Sequence, residues 1–243
     1  MKKKYVQVGL GGRARFFYEA IASTYHQTCE LVGFCDVSQT RMDYANRILV
    51  NKYGQKKVKT CMPSQFEQLL DDVRPAEVII TSVDRTHHNY IIRAMKKGYD
   101  VICEKPLTID EEKAQEIITV QKQTGRSLRV TFNYRYAPYH TKIKELIESD
   151  VIGDVFSIHF EWLLNTQHGA DYFRRWHRNK HNSGGLLVHK STHHFDLVNF
   201  WLNSRPQKVF AFGGLNFYGM HNAEKRGVEI FYSRCYGSEL AKA

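Results

Sequence analysis

The first 36 residues constrain the fold of this chain more than any other segment. A short apolar run, Tyr5–Val8, leads into glycines and a small Ala14 in the order G-x-G-x-x-A, and a helix-like run follows at residues 16–25. A strand, a glycine turn and a helix in this order are typical of dinucleotide-binding α/β units. We therefore predict a nucleotide site at the start of the chain.

Each small residue of the turn has a distinct predicted role. Gly9 permits the tight turn, Gly11 lets the backbone approach a pyrophosphate, and Ala14 allows close packing of helix on strand. The phosphates are expected on the free amides at the helix N-terminus. The turn residues predicted to contact the cofactor are Gly9, Gly11, Gly12, Arg13 and Ala14.

A second predicted strand, residues 30–35, ends at Asp36, where a ribose-binding acid is expected in such units. A carboxylate there accepts hydrogen bonds from a ribose diol and repels a 2′-phosphate, so NAD is favoured over NADP. Arg41 is close enough in sequence to meet a phosphate, and it is included among the candidate cofactor residues. Two simpler interpretations stay open: the glycines could be turn residues only, and Asp36 could cap the helix that begins near Ser38.

A chemically informative segment lies at Val101–Pro106, a predicted strand that ends in Glu104-Lys105-Pro106. Because ligands bind at the carboxyl ends of parallel strands, Lys105 is expected to point into the ligand crevice. Pro106 cannot donate to a strand ladder and ends the strand there.

Strand-like and helix-like runs alternate up to residue 133, and the strands are nearly continuously apolar, which predicts a parallel, doubly wound sheet. After the glycine turn and its helix, the predicted strands are residues 30–35, 57–61, 76–82, 99–103 and 127–133. The predicted helices between them are residues 39–53, 63–70, 86–97 and 109–123.

Composition adds expectations about location and partners. The five cysteines form no C-x-x-C pair, which favours reduced thiols in a cytoplasmic protein. The basic N-terminus is not followed by an apolar segment, and no apolar run approaches membrane-spanning length, so no membrane partner is expected. The net charge of +10 permits nucleic-acid binding, but no nucleic-acid module is present and a solvated basic surface is the default.

Six motifs follow one another along nearly the whole chain: the glycine turn, Ser82–His87, Glu104-Lys105-Pro106, Phe132–Tyr136, Ile152–Val155 and Ser183–Asp196. In this order they resemble the motifs of the glucose–fructose oxidoreductase, inositol dehydrogenase and MocA (Gfo/Idh/MocA) family. The resemblance implies a Rossmann NAD(P)-binding domain at residues 1–133. It implies that residues 134–243 form an α+β substrate domain with an open, mostly antiparallel sheet. Only residues 155–164 and 209–217 look like strands of that sheet, so we expect it to be incomplete.

The resemblance also implies a nicotinamide-dependent dehydrogenase acting on a sugar or polyol hydroxyl. Lys105 would touch cofactor and substrate and stabilise a developing alkoxide. His193 would take the hydroxyl proton, which suits an imidazole because its ordinary pKa lies near neutrality. Further residues assigned on this basis are Ser82, His87 and Glu104 for the cofactor, Arg135 for the substrate, and His189 for both catalysis and the substrate.

Trp176 lies in the densely basic segment Arg174–His181. It could stack on a sugar ring while the arginines bind an anionic substituent of the substrate. A solvated loop is an equally open interpretation, because loops near a site often carry specificity but are also ordinary surface.

The chain departs from the family pattern at three positions. His189 stands where the family often has Asp, Ser191 stands for a glycine, and Val83 stands for a turn proline. His189 and His193 are spaced i, i+4 on one face of the predicted helix, with Asp196 a turn further, and this geometry could bind a metal. No complete ligand set accompanies them, so no metal is expected.

These departures leave two alternatives to a dehydrogenase: an NAD-dependent glycoside hydrolase that oxidises its substrate transiently, and an NAD-binding protein with a degenerate site. A short second domain would also expose sheet edges and apolar faces. Self-association through the open sheet face, or weak activity without a partner, is therefore expected.

Overall fold

The structure, a computed structural model, describes residues 1–228 of the chain. The chain is divided into two compact units, Met1–Thr131 and a second that begins at Phe132. The two units are described separately below.

The first unit is built on a six-stranded sheet in the order β3-β2-β1-β4-β5-β6. Every neighbouring pair is parallel. The strands are β1 (Lys3–Val8), β2 (Cys29–Cys35), β3 (Lys59–Cys61), β4 (Glu77–Ile80), β5 (Asp100–Cys103) and β6 (Leu128–Val130). This is the strand order of a Rossmann sheet, and it confirms the predicted parallel, doubly wound α/β fold.

Five helices alternate with these strands. They are α1 (Ala14–Ala22), α2 (Gln39–Tyr53), α3 (Phe66–Val73), α4 (Asp84–Lys96) and α5 (Glu111–Thr124), with a 3₁₀ turn at Pro63–Gln65 before α3. Local sequence explains the ends of α2: the Ser38 side chain accepts a hydrogen bond from the Arg41 amide, and Gly54 closes the helix at φ 63°. Asp110 and Gly125 do the same for α5.

Two apolar clusters form the core of this unit. One joins β-strand residues to α3, α4 and α5, with Phe66, Leu70, Ile91 and Ile117 fully buried. The other joins Phe34 of the sheet to α1 and α2. Both clusters lie entirely within residues 1–131, so the sheet that carries the nucleotide motif has its own hydrophobic core.

Within residues 132–228 the second unit is helical. After a 3₁₀ turn at Asn133–Tyr136 it contains α6 (Pro138–Glu148), α7 (Thr166–Arg174), α8 (Lys180–Ser183), α9 (Leu186–His189), α10 (Thr192–Leu202) and α11 (Met220–Lys225), with a 3₁₀ turn at Trp176–Arg178.

The predicted strands at residues 155–164 and 209–217 are wrong for the described part of the chain, which has no strand after β6. Phe156 and Phe212, 96% and 92% exposed, show that these apolar runs are not covered. A strand depends on a neighbouring strand for its backbone hydrogen bonds, and no segment up to residue 228 supplies one. The expected antiparallel sheet is therefore absent from the described residues.

The longest helix among residues 1–228 is α2, with 15 residues. Such a helix is about 22 Å long, whereas a hydrocarbon core is about 30 Å thick. None of the described helices is both long and apolar enough to cross a membrane.

Candidate functional site

In the first unit, β1 and β4 lie side by side where the strand order reverses, which is where ligands bind in open α/β sheets. The turns that follow the two strands meet at Gly9 and Ser82. Gly9 has φ 82°, and a Cβ on it would lie 2.4 Å from the Ser82 Cα. Only glycine fits this approach.

Gly11 and Gly12 differ from Gly9. Apart from the glycine itself and its two chain neighbours, no described residue has an atom within 4 Å of a Cβ built on either glycine, and neither has a positive φ. Protein packing therefore does not demand glycine there. The space opens beside the first turn of α1, whose amides have no intrahelical acceptors.

A buried polar network that sequence reasoning missed lies beneath the turn. The Gln7 side-chain amide donates to the Ala14 carbonyl oxygen at 3.0 Å and to Thr81 Oγ1 at 3.1 Å. Thr81 Oγ1 in turn donates to the Gly9 carbonyl oxygen at 2.6 Å. Because Gln7 and Thr81 are both buried, the network fixes the turn to the ends of β1 and β4. The only signal was a polar residue inside an apolar strand.

Asp36 follows β2 and is buried. Its two carboxylate oxygens accept hydrogen bonds from the Leu10 amide at 2.5 Å and the Ser38 amide at 2.8 Å. The Ser38 side chain, not Asp36, caps α2, so the capping interpretation of Asp36 is wrong. Arg41 lies beside it, with Nη1 3.7 Å from the Asp36 carboxylate.

The Glu104-Lys105-Pro106 segment follows β5, and its first residue is tied to the glycine turn. Buried Glu104 accepts a hydrogen bond from Arg13 Nε at 2.7 Å, while its other oxygen accepts from the Lys105 amide at 3.1 Å. The Arg13 guanidinium also lies 4.6 Å from the ring centroid of Phe16. Half-buried Lys105 thus has its backbone held by the same carboxylate that holds the turn.

His87, which was expected to contact the cofactor, is buried. It is 1% exposed, and its two ring nitrogens lie 2.9 Å from the Pro106 carbonyl oxygen and 3.0 Å from the Ser82 carbonyl oxygen. His87 therefore ties the backbone at Ser82, after β4, to the backbone at Pro106, after β5. Val83 has φ −69°, a value that proline would also adopt.

In the second unit, Arg135 is committed to an acidic partner. Its Nε donates to Asp196 Oδ2 at 2.8 Å, and its Nη2 donates to Oδ1 of the same carboxylate. Burial of Asp196 makes this two-pronged ion pair a tie between the 3₁₀ turn and α10. The structure thus pairs Arg135, which we expected to bind substrate, with Asp196.

His189 and His193 do not share a helix face, which corrects a second expectation. α9 ends at His189, and α10 begins at Thr192 after a break at Lys190 and Ser191. The i, i+4 rule applies only to a continuous helix. Two positive-φ glycines, Gly184 and Gly185, make the short α9 possible.

The two histidines therefore lie in different aromatic surroundings. The His193 ring stacks on Tyr134 with centroids 3.9 Å apart and an angle of 6°. The His189 ring lies 4.6 Å from His177 and 5.3 Å from Trp176. Trp176 is thus part of a compact aromatic and imidazole cluster around His189.

Buried Ser183 orders the segment that carries this cluster. Its hydroxyl donates to the His177 carbonyl oxygen at 2.7 Å and accepts from the Gly185 amide at 3.1 Å. The basic segment is consequently a 3₁₀ turn followed by α8 rather than a loose loop. Among residues 1–228, no group of three or more His, Cys, Asp or Glu side chains could hold a metal ion.

The first unit fits a dinucleotide in three respects. Open space at Gly11 and Gly12 adjoins the amides of α1, which suits phosphate oxygens. The Asp36 carboxylate stands at the end of the neighbouring strand, where it can accept from a diol. Glu104 and Lys105 stand at the end of β5, beside β4.

Comparison with known proteins gives the same assignment. Residues 3–132 match the model for the Gfo/Idh/MocA oxidoreductase family, NAD-binding Rossmann fold. Residues 144–231 match the model for the C-terminal alpha/beta domain of the same family.

Individual relatives extend the match over most of the chain. A Bacillus subtilis protein named as an oxidoreductase, YteT, is 38% identical over 219 residues, 89% of this chain and 50% of YteT. The glucose-6-phosphate 3-dehydrogenase of Bacillus subtilis is 28% identical over 208 residues, 83% of this chain and 54% of that protein. The chain thus spans about half the length of the curated relatives it matches.

Among solved structures, scyllo-inositol dehydrogenase from Lactobacillus casei with bound NAD(H) and scyllo-inositol has a TM-score of 0.67 to this chain. It is 22% identical, and the match covers 84% of this chain and 57% of that one, so this likeness shows the fold. The family assignment rests on the sequence matches: the Rossmann model spans residues 3–132 of 243, and YteT is 38% identical. The chain therefore belongs to the Gfo/Idh/MocA family of oxidoreductases.

Proposed function

We propose that this chain binds NAD at the carboxyl ends of its parallel strands and transfers a hydride between it and a hydroxyl of a sugar or polyol. The observation that carries this proposal is the open space at Gly11 and Gly12 beside the N-terminus of α1, flanked by Asp36 and the Glu104-Lys105 pair. In this proposal residues 1–133 are the cofactor domain and residues 134–243 the substrate domain.

For the cofactor, NAD is preferred over NADP. A 2′-phosphate would meet the Asp36 carboxylate, which is buried and accepts two backbone amides already. Arg41 is 3.7 Å from that carboxylate, so part of its charge is offset by Asp36 before any phosphate arrives. Titration with NAD and NADP in parallel tests the preference, and tighter NADP binding would contradict it.

For the substrate, a polyol or sugar hydroxyl is supported by the relatives' names, which include inositol 2-dehydrogenase and glucose-6-phosphate 3-dehydrogenase. When bound, the nicotinamide supplies the hydride acceptor. His193 would take the proton of the hydroxyl on a ring nitrogen, and the Lys105 ammonium would stabilise the negative charge that develops on that oxygen. The aromatic cluster of Trp176, His177 and His189 would contact the ring of the substrate.

The direct test is incubation of the purified chain with NAD and a panel of inositols, glucose 6-phosphate and alkyl glucosides, with absorbance at 340 nm as the readout. Steady NADH formation is the expected result. Cleavage of a p-nitrophenyl glycoside that requires NAD but leaves no net NADH would instead indicate the glycoside hydrolase. Tight NAD binding without any turnover would indicate a binding protein.

Variants of the chain sharpen this test. Lys105→Met and His193→Gln are each expected to lower kcat by a factor of about 100 or more while NAD still binds, since one acid–base group contributes about 10²–10⁴-fold. Lys142→Met is the matched control, because Lys142 is an exposed lysine paired only with an exposed Glu145 in the described part of the chain. Equal turnover of His193→Gln and the wild-type chain would remove His193 from the proposal.

Besides the small substrate, we propose that a second copy of this chain is a binding partner. Large apolar side chains are exposed on the second unit, notably Phe156, Phe210 and Phe212, and patches of this kind favour association. Sedimentation velocity should show a weight-average mass that rises with concentration, and a Phe210→Ser/Phe212→Ser variant should reduce it. A monomer at all concentrations would contradict this.

A further inference from the structure

The ring of Tyr134 lies in the most closely stacked aromatic pair of the second unit's described residues. Its centroid is 3.9 Å from that of the His193 imidazole, and the two planes differ by 6°. Phe132 meets the same imidazole edge-on at 6.2 Å. An imidazole is free to rotate about its Cβ–Cγ bond over a broad range unless its neighbours prevent it. Tyr134 and Phe132 together fix the plane of this ring.

A buried lysine holds Tyr134 in turn. Lys190 is 7% exposed, and its Nζ donates a hydrogen bond to the Tyr134 hydroxyl at 2.9 Å. Burial raises the pKa of Tyr172, and the Lys190 ammonium, within hydrogen-bonding reach of it, offsets part of that increase. A buried ammonium is costly unless it is hydrogen-bonded. The hydroxyls of Tyr134 and Tyr172 therefore hold the Lys190 ammonium in one position.

Two further aromatic rings, those of His140 and Trp162, lie against the ring of Tyr134. It lies nearly parallel to His140, at 6.3 Å and 16°, and to Trp162, at 5.7 Å and 27°. His140 is itself fixed, because it is buried and its carbonyl oxygen accepts from Trp201 Nε1 at 3.0 Å. Rotation of Tyr134 would break all of these contacts together.

Lys190 connects this stack with the cluster around His189. Tyr172, which Lys190 also reaches, lies edge-on to the His189 ring at 5.7 Å. The lysine stands at the break between α9 and α10, the two helices that carry the histidines. Lys190 thus holds an aromatic neighbour of each histidine: Tyr134 beside His193, and Tyr172 beside His189.

We propose that Tyr134 and Lys190 are positioning residues that hold the His193 imidazole in one orientation for proton transfer. The proposal rests on the proposed function of His193 as the proton acceptor, and it adds the residues that orient the ring. Tyr134 does so by stacking, and Lys190 does so by anchoring the Tyr134 hydroxyl. Misplacement of a reacting group by about 1 Å can cost about 100-fold in rate, which sets the scale of the expected effect.

The first experiment uses NMR to detect the stacking of Tyr134 on His193 and does not depend on enzymatic turnover. In the full chain, the ring protons of His193, assigned by comparison with His193→Gln, are expected to resonate upfield because they lie over the Tyr134 ring. Tyr134→Leu should abolish this shift, whereas Tyr134→Phe, which keeps a ring, should retain it. An unchanged His193 signal in Tyr134→Leu would overturn the proposed stack.

The second experiment reads orientation in the reaction. Tyr134→Leu is expected to lower kcat by about 10- to 100-fold, with KM for the polyol and Kd for NAD changed by less than about twofold. Lys190→Met should lower kcat in the same manner, and Lys190→Arg, which can still donate to Tyr134, should restore most of it. The matched controls are Tyr136→Leu, at an 81% exposed tyrosine, and Lys142→Met.

The outcomes separate the two proposals. A rise in KM at unchanged kcat in Tyr134→Leu would mean that Tyr134 binds substrate and would overturn its positioning role. Equal losses in Lys190→Arg and Lys190→Met would overturn the hydrogen-bonding role of Lys190. A wild-type chain that oxidises no hydroxyl would contradict the proposed function. The chemical shift of the His193 ring protons would still show whether Tyr134 and Lys190 hold the imidazole in place.

Discussion

At the scale of single residues, the glycine turn makes two different demands on glycine. Gly9 needs both a positive φ and the absence of a Cβ, because the Ser82 backbone is 2.4–2.5 Å from where that carbon would be. Gly11 needs neither in the protein alone. The two positions can therefore be told apart by experiment.

Gly9→Ala is expected to lower the free energy of unfolding by more than about 2 kcal/mol, since a left-handed φ alone costs an L-residue about 1–2 kcal/mol. Gly11→Ala should leave stability unchanged or raise it by up to about 1 kcal/mol. Its NAD affinity should nevertheless fall about tenfold or more, because the added methyl group enters the space proposed for the pyrophosphate. Urea unfolding and NAD titration of both variants check this, and wild-type NAD affinity in Gly11→Ala would contradict it.

Thr81 gives a second prediction at this scale. Thr81→Val keeps the shape of the side chain but removes the hydroxyl between Gln7 and the Gly9 carbonyl oxygen. Leaving buried polar groups unpaired costs about 1–3 kcal/mol, so the free energy of unfolding should fall by that amount. Thr81→Ser keeps the hydroxyl and serves as the control. If both variants lose the same stability, the hydrogen bonds are not responsible.

At the scale of elements, an ion pair joins α3 to α4. Arg93 contacts the Glu67 carboxylate through Nε and Nη2, and its Nη2 also donates to the Pro63 carbonyl oxygen at 3.1 Å. The hydrogen bond from Arg93 lowers the pKa of Glu67. The pair thus stabilises the fold above the ordinary glutamate pKa of about 4.3, and this contribution is lost as the pH falls through the lower pKa of the folded state.

Glu67→Gln removes that titration. Between pH 5 and pH 3 the free energy of unfolding of the wild-type chain should therefore fall more steeply than that of Glu67→Gln. Urea unfolding at several pH values measures both slopes. Glu145→Gln, at an exposed pair within α6, is the control and should follow the wild-type slope.

The helices and strands of the first unit were predictable because the residues that begin and end them lie next to them in the sequence. The predicted helix at residues 39–53 has the observed ends, since Ser38 and Gly54 mark them in the sequence itself. The predicted strands of the second unit were wrong because an apolar pattern cannot say whether a partner strand exists. The predicted shared face of His189 and His193 was wrong because the i, i+4 spacing does not reveal the helix break at Lys190 and Ser191.

The site was predictable to a similar degree. Gly9 and Asp36 could be placed from spacing alone, because the glycine motif fixes the strand ends. The bridge from Arg13 to Glu104 joins residues 91 positions apart, and nothing in the local sequence announces it. Stacking of Tyr134 on His193 is equally non-local.

At the scale of the whole molecule, the first unit has its own core and all of the proposed pyrophosphate and ribose contacts. A fragment of residues 1–131 is therefore expected to unfold cooperatively and to bind NAD within about tenfold of the full chain, a difference of 1.4 kcal/mol. Circular dichroism during urea unfolding and NAD titration check this. The same fragment with Gly11→Ala is the matched control, and a fragment without cooperative unfolding would contradict the expectation.

Asp36 has a consequence for anyone who would redesign this protein to use NADP. Exchanging the acid for a neutral or basic residue is the obvious first step, but the same carboxylate accepts the Leu10 and Ser38 amides and so braces the glycine turn. A substitution of Asp36 that favours the 2′-phosphate would therefore also destabilise the glycine turn, which is proposed to bind the pyrophosphate of the same cofactor. Asp36→Asn retains one acceptor oxygen and is therefore the less disruptive first substitution. A second substitution near Leu10 would have to replace the hydrogen bond that is lost.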